Sequence, residues 1–283
     1  MLAEPEVLVL PGVYDALSAA LVQRSGFRGA YMTGAGVSMS LIGFPDLGFT
    51  TMTEMAGQAA RITGVLDIPL VADADTGFGN ALSVQRTVAE YQRAGVAGLH
   101  IEDQVNPKRC GHLDGKQVVD EDTALKRIRS AADARRDSNL LIMARTDIRA
   151  VEGLASAIDR AKALVDAGAD AIFPEAMTGL PEFDAVRSAV DVPILANMTE
   201  FGKSDLFTVD QLRDVGVNIV IWPVSLLRLA MGAAERGLDQ LLAQGTLEPM
   251  LGDMQHRADL YDLIDYEGYN AFDTSVYNFE VRR

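Results

Sequence analysis

Short apolar runs alternate along this chain with longer segments whose apolar residues recur every three or four positions. The short runs are VLVLPGV, GAYMTGAG, IPLVADAD, AGLHIED, LLIMARTD, AIFPEA, PILANM and IVIWPVS. Each is nearly continuous in apolar residues and most close on polar ones, which is how a strand buried on both faces of a parallel sheet reads. The intervening segments carry helix signals. Asp15 opens a segment that runs to about residue 25, and Thr51 with Glu54 has the spacing of a capping box. A helix is expected over residues 81–93. Asp120 precedes Leu125, Ile128 and Ala132, which share one helical face. Leu154, Ile158, Ala161 and Val165 step by four, three and four, and Gly168 stands where a helix ends on glycine. A long helix over 225–244 follows the last strand, and MQHRADLYDLIDY reads as one more helix outside the repeat.

Strands alternating with helices over 283 residues predict a (β/α)8 barrel. A doubly wound open sheet is the competing fold; strand count and total length favour the barrel. The expected organisation is one barrel domain, residues 1–283, with 246–283 as a C-terminal helical extension.

Composition narrows the function. A net charge of −15 argues against nucleic acid and against an anionic membrane surface. No apolar run approaches the roughly 20 residues of a membrane span. A single cysteine makes no internal disulfide, and MLAEPEVLVL lacks the basic start of a signal peptide, so a cytoplasmic protein is expected.

In a (β/α)8 barrel the strand C-termini meet at one mouth, where the chemistry resides. Here those ends supply Asp73 and Asp75, then Glu102 and Asp103, Arg145 and Asp147, Glu175, and Asn197, Thr199 and Glu200. Clustered carboxylates repel one another, and a divalent cation relieves the repulsion. All-oxygen ligation points to Mg2+, with Mn2+ the alternative, and Asp73, Asp75 and Glu102 are the candidate metal site. Arg145 offers a fork for a substrate carboxylate. The lysines are 108, 116, 126, 162 and 203; none ends a barrel strand, so Schiff-base chemistry is not expected. His100 lies within the fourth strand and reads as a core residue.

The loop after the fourth strand, NPKRCGHLDGK, holds the only cysteine, Cys110, among Lys108, Arg109, His112 and Lys116. Positive charge favours a reactive thiolate. Gly111 and Gly115 would let the loop act as a lid over the mouth.

Together, K-R-C-G-H, V-A-D-A-D-T-G-F-G-N, G-L-H-I-E-D-Q and M-A-R-T-D resemble the isocitrate lyase/phosphoenolpyruvate mutase superfamily over essentially the whole chain. FPEA, VPILANMTEFG, LFTVDQLR and the tail are most similar to its 2-methylisocitrate lyases. The loop H-L-D-G-K, VYDALSA and PDLGFT look more like its carboxyphosphonoenolpyruvate mutases and dimethylmalate lyases. The resemblance implies Mg2+-dependent retro-aldol cleavage of a small hydroxy di- or tricarboxylate, in a homotetramer built of helix-swapped dimers. It implies that Asp73 and Asp75 hold the metal, partly through water, with Glu102 nearby. Thr33, Gly34 and Ala35 would bind the keto-acid part through backbone N–H groups, beside Asp46, with Tyr31 facing the site; Tyr31 or a metal-linked carboxylate would take the hydroxyl proton. Cys110 would be the catalytic cysteine, with Gly111 and His112 on the departing dicarboxylate. Arg145, Glu175, Asn197, Thr199 and Arg228 would complete the pocket. The expected reaction gives pyruvate and succinate from 2-methylisocitrate. Cleavage of a 2-alkylmalate such as dimethylmalate, and a phosphonate-forming mutase reaction, are the alternatives.

Overall fold

The computed structural model describes residues 6–109, 111 and 115–278. Eight strands form one parallel sheet: β1 (Leu8–Val13), β2 (Ala30–Met32), β3 (Leu70–Asp73), β4 (Gly98–Glu102), β5 (Leu141–Thr146), β6 (Ala171–Pro174), β7 (Leu195–Asn197) and β8 (Ile219–Trp222). Their order is β6-β5-β4-β3-β2-β1-β8-β7. A parallel bridge between Ile172 and Ile194 brings β6 and β7 together, and the Ile172 N–H donates to the Pro193 carbonyl at 2.9 Å. The two edges of the sheet thus meet, and the fold is the expected (β/α)8 barrel.

The helices are α1 (Ala16–Arg24), α2 (Gly34–Val37), α3 (Met52–Thr63), α4 (Ala81–Arg93), α5 (Glu121–Ala134), α6 (Arg149–Glu152), α7 (Leu154–Asp166), α8 (Leu180–Arg187), α9 (Val209–Asp214), α10 (Ser225–Gln244), α11 (Arg257–Leu263) and α12 (Tyr266–Tyr277). Their starts follow local chemistry. Asp15, Thr51, Asn80, Asp120 and Thr208 each accept a backbone N–H three residues on, satisfying a donor that the helix itself leaves open.

Strand alternation divides the apolar residues into two layers. Leu10, Tyr31, Val71, Met143, Ala171, Phe173, Leu195, Ile219 and Ile221 fill the barrel interior. Their strand neighbours, among them Leu70, Ala72, Leu99, Ile101, Ile142, Ala144 and Ile172, face the helices.

Two expectations are corrected. The run GAYMTGAG is not one strand: β2 stops at Met32, where Thr33 caps the short helix α2, its Oγ1 accepting from the Gly36 N–H at 3.1 Å. The tail is two helices rather than one, broken at Asp265, whose left-handed backbone (φ 52°) cannot continue a helix.

The chain forms two compact units, Met1–Leu227 and Arg228–Arg283. In the second, Tyr261 and Tyr266 stack with ring centroids 4.7 Å apart, while Tyr269, Phe272, Val276 and Tyr277 are exposed.

Candidate active site

The alternation that packs the barrel interior also aims the polar strand ends. Val71 points inward, and Asp73 lies two residues on. Met143 precedes Arg145 in the same way, Phe173 precedes Glu175, and Leu195 precedes Asn197. On β4 the inward set is His100 and Glu102, with Glu102 in register with Arg145 and His100 with Asp73. One core face therefore runs without interruption into one polar layer at the barrel mouth.

The acidic side of that layer is built round a lysine. Lys108, on the loop after β4, is buried, and its ammonium pairs with Asp46 and lies 2.6 Å from Asp75 Oδ1. Burial would lower the Lys108 pKa, but Asp75, Asp46, Glu102 and Asp73 hold it well above its ordinary value, so the group is a fixed cation. Burial pushes the Asp75 carboxyl up to about 6 against the pull of Lys108. It raises Asp73 as well, again opposed by Lys108. Glu102 is fully enclosed and rises further; Arg145 Nε stands 3.3 Å from its Oε2, yet neither carboxylate oxygen makes a hydrogen bond among the described residues. Behind this cluster the Tyr91 hydroxyl of α4 donates to the Asp73 carbonyl at 2.8 Å.

Tyr31 and His100 lie at the floor of the site. The Tyr31 Oη is 2.8 Å from His100 Nε2 and 3.5 Å from Asp73 Oδ2. Burial, with Asp73 acting in the same direction, lifts the phenol well above its ordinary value, so it keeps its proton. Burial also drives the imidazole down to about 3, with Arg145 pushing the same way. His100 is therefore neutral, and its approach to Asp73 at 3.6 Å is not an ion pair.

The opposite side is a guanidinium clamp. Arg145 donates through Nε and Nη2 to the two Asp147 carboxylate oxygens, at 2.9 and 3.2 Å, and its guanidinium lies 5.2 Å from the Phe173 ring centroid. Lys116 donates to Asp147 Oδ1 at 2.8 Å and to the Gly111 carbonyl. Asp103 points outward by alternation; it accepts from Thr146 Oγ1, the Asp147 N–H and Arg160. Asn197 Nδ2 lies 3.3 Å from Glu175 Oε1. Gly111 presses so closely on Glu175 and Arg145 that a β-carbon there would overlap both side chains.

Among the sequence-derived candidates, Tyr31, Asp46, Asp73, Asp75, Glu102, Gly111, Arg145, Glu175 and Asn197 come together in this mouth. The Thr33 N–H is committed to the Val13 carbonyl, and the Gly34 N–H donates to Asp73 Oδ2 at 3.2 Å, while Ala35 is half-buried. Thr199 is buried beyond the end of β7. Arg228 belongs to the second compact unit. Cys110 and His112 lie outside the described residues.

The sequence reading placed Asp147 at the mouth without a role and missed Lys108 and Lys116 as site residues. It sought lysines only at strand ends, whereas both reach the mouth from a loop on long side chains. Their position flanking Cys110 was the available signal. Lys108 does not reopen Schiff-base chemistry, because its carboxylate neighbours keep it charged and an imine needs the free amine.

The carboxylate layer suits a hard divalent cation. Among the described residues Glu102 presents two buried oxygens without hydrogen bonds, while Asp75 Oδ1 faces the Lys108 ammonium at 2.6 Å. Among the described residues, no three carboxylate or imidazole side chains lie close enough to ligate one ion together.

The chain is similar over most of its length to known proteins. The sequence profile of phosphoenolpyruvate phosphomutases matches residues 1–242. "Probable 2-methylisocitrate lyase 2" of Corynebacterium glutamicum is 51% identical over 280 residues, 99% of this chain and 91% of that protein. The 2-methylisocitrate lyase of Aeropyrum pernix is 46% identical over 98% of this chain and 89% of its own. The crystal structure of 2,3-dimethylmalate lyase superposes with a TM-score of 0.91 at 36% identity, covering 100% of this chain and 96% of that one. Phosphonopyruvate hydrolase, solved with oxalate and Mg2+, gives 0.87 at 26% identity, over 96% and 95% of the two chains. The chain belongs to the phosphoenolpyruvate phosphomutase family.

Proposed function

We propose that this protein is a Mg2+-dependent carbon–carbon lyase that cleaves 2-methylisocitrate to pyruvate and succinate. The observation that carries the reading is the polar layer of the mouth, with a carboxylate cluster on one side and a clamped guanidinium on the other. That is what a substrate with a hydroxy-acid end and a separate carboxylate requires. The identities of about half to relatives named 2-methylisocitrate lyase support the choice of substrate.

Asp73 and Asp75 would hold the metal, partly through water, with Glu102 nearby. Bound there, the ion supplies positive charge to the hydroxy-acid oxygens and to the keto acid that forms. Arg145, fixed by Asp147, orients a substrate carboxylate. In the reaction the hydroxyl proton leaves and its carbon becomes a carbonyl. The bond between C2 and C3 breaks, its electron pair passes to C3 beside a carboxylate, and a proton is delivered to that carbon. Tyr31 and the carboxylate cluster both face this proton, and we assign its removal to one of them. Cys110, next to Gly111 in sequence, is the proposed acid that protonates C3.

The assembly we propose is a tetramer of helix-swapped dimers. Two surfaces support it. On the barrel unit an apolar cavity of about 470 Å3 is lined by Val9, Pro11, Leu21, Val22, Phe27 and Trp222. Separately, α10 has no buried residue and exposes Leu229, Met231, Leu238 and Leu242.

The deciding experiment incubates the purified protein and Mg2+ with 2-methylisocitrate, isocitrate and 2,3-dimethylmalate, and assays pyruvate, succinate and propionate. Equal pyruvate and succinate from 2-methylisocitrate alone, abolished by EDTA, is the expected result. Propionate from dimethylmalate would move the assignment to a 2-alkylmalate. No product from any of the three would overturn the lyase reading.

A further inference from the structure

We infer that Lys116 and Asp147 form a positioning pair that ties the loop after β4 to the substrate-binding guanidinium. Each acts through Arg145 or through the Gly111 carbonyl, so both are positioning residues rather than catalytic ones. Both are fully enclosed, with side-chain exposures of 2% and 0%. Asp147 is the hub: its two oxygens take both N–H groups of the Arg145 fork, and Oδ1 also takes the Lys116 ammonium. The second contact of Lys116 is the Gly111 carbonyl, in the loop itself. Gly111 in turn lies against Arg145 and Glu175. A ring of contacts therefore runs from Arg145 through Asp147 and Lys116 to Gly111 and back to Arg145.

The ring has a physical consequence. A lysine ammonium has three donors on a flexible stem, and here two partners fix its direction. The loop backbone can take this position only where Asp147 already holds the charge, and Asp147 is placed by the Asp103 contact to its N–H at 2.9 Å. Placement of the loop and aim of the arginine are thus set by one buried carboxylate. The stem below the loop is fixed independently. Gln104 and Val118 form an antiparallel bridge, and Arg127 of α5 donates to the Glu102 and Gln104 carbonyls at 2.9 Å each. Losing the Lys116 contact should therefore release the loop at Gly111 and leave the stem intact.

The test is a double-mutant cycle on the full-length, Mg2+-loaded protein, with Lys116→Met, Asp147→Asn and the pair, plus Lys116→Arg as the conservative variant. The first readout needs no substrate: deuterium exchange of the peptide spanning residues 104–119. We expect exchange of this peptide to quicken by about tenfold in Lys116→Met, with Lys116→Arg restoring it. The second readout rests on the lyase reading. kcat/KM for 2-methylisocitrate should fall by about 10- to 100-fold in Lys116→Met, with both a higher KM and a lower kcat. The paired variant should cost no more than the worse single one, because the two residues act as a unit. Should Lys116→Met fail to fold, the paired variant, which leaves neither member of the pair unpartnered, is compared with wild type on the same readouts. Wild-type exchange in a folded Lys116→Met or paired variant would overturn the inference. An inactive wild type that still shows the exchange effect would instead overturn the lyase reading and leave the coupling standing.

Discussion

Asp147 shows how burial and pairing compete at a single side chain. Burial alone would raise its carboxyl, but Arg145 and Lys116 hold it below the usual carboxylate range. A depressed carboxyl stabilises the fold fully above its unfolded value, near pH 4, and that contribution is lost as pH falls through the folded value. Asp147→Asn should therefore be less stable than wild type at pH 7, by about 3 kcal/mol for a broken buried pair. The gap should narrow below about pH 4. Urea denaturation at pH 7 and pH 3 measures it, and an unchanged gap would refute the account. At this scale the sequence was informative about Asp73, Glu102, Arg145 and Glu175, because each ends a strand and strand ends converge in a barrel. It put Lys108 and Lys116 beside Cys110 but not in the mouth, because a loop's sequence does not say which way it folds back. His100 reads as core and is core, but it is also the partner of Tyr31, which one strand's pattern cannot reveal.

Some element boundaries were legible from the side chain that fixes them. Thr51 with Glu54 forms a complete capping box, and Asp120 caps α5 as its position suggests. The end of β2 was not legible, because Thr33-Gly34-Ala35-Gly36 reads as strand or loop until the Thr33 hydroxyl is seen to accept from Gly36. The break at Asp265 was hidden for a related reason: the residue takes a left-handed backbone between two helical stretches of unbroken amphipathic pattern. Caps also bear on the site. Asn80 starts α4, accepting from the Ser83 N–H at 3.1 Å, and the same helix carries the Tyr91 that holds the Asp73 carbonyl. Asn80→Ala should cost about 1 kcal/mol of stability. A shift in the urea midpoint at unchanged slope measures it, and a midpoint equal to that of wild type would show the cap to be energetically idle.

Taken whole, the barrel was the most legible feature, since eight apolar runs and the helices between them leave few other ways to bury so many strands on both faces. Assembly was not legible from periodicity, because an amphipathic helix looks alike whether it packs on its own chain or on another. The apolar cavity beside Phe27 turns the assembly proposal into a measurement. Phe27 is 38% exposed, so a charge there should be tolerated by the barrel itself. If a partner's helix covers that cavity, Phe27→Glu should lower the mass seen by light scattering while circular dichroism stays that of a folded protein. A variant of unchanged mass would count against the swapped arrangement.

The shared alternation of core and site also limits how such an enzyme can diversify. Inserting one residue into β3 below Asp73 would turn the carboxylate toward the helices and bring an alanine into the mouth. Inserting one into the loop after β4 leaves every strand's phase untouched. Changes in chain length are therefore tolerated above the strand ends and penalised below them. New specificities on this scaffold are best sought by rewriting loops, with the strands kept at fixed length.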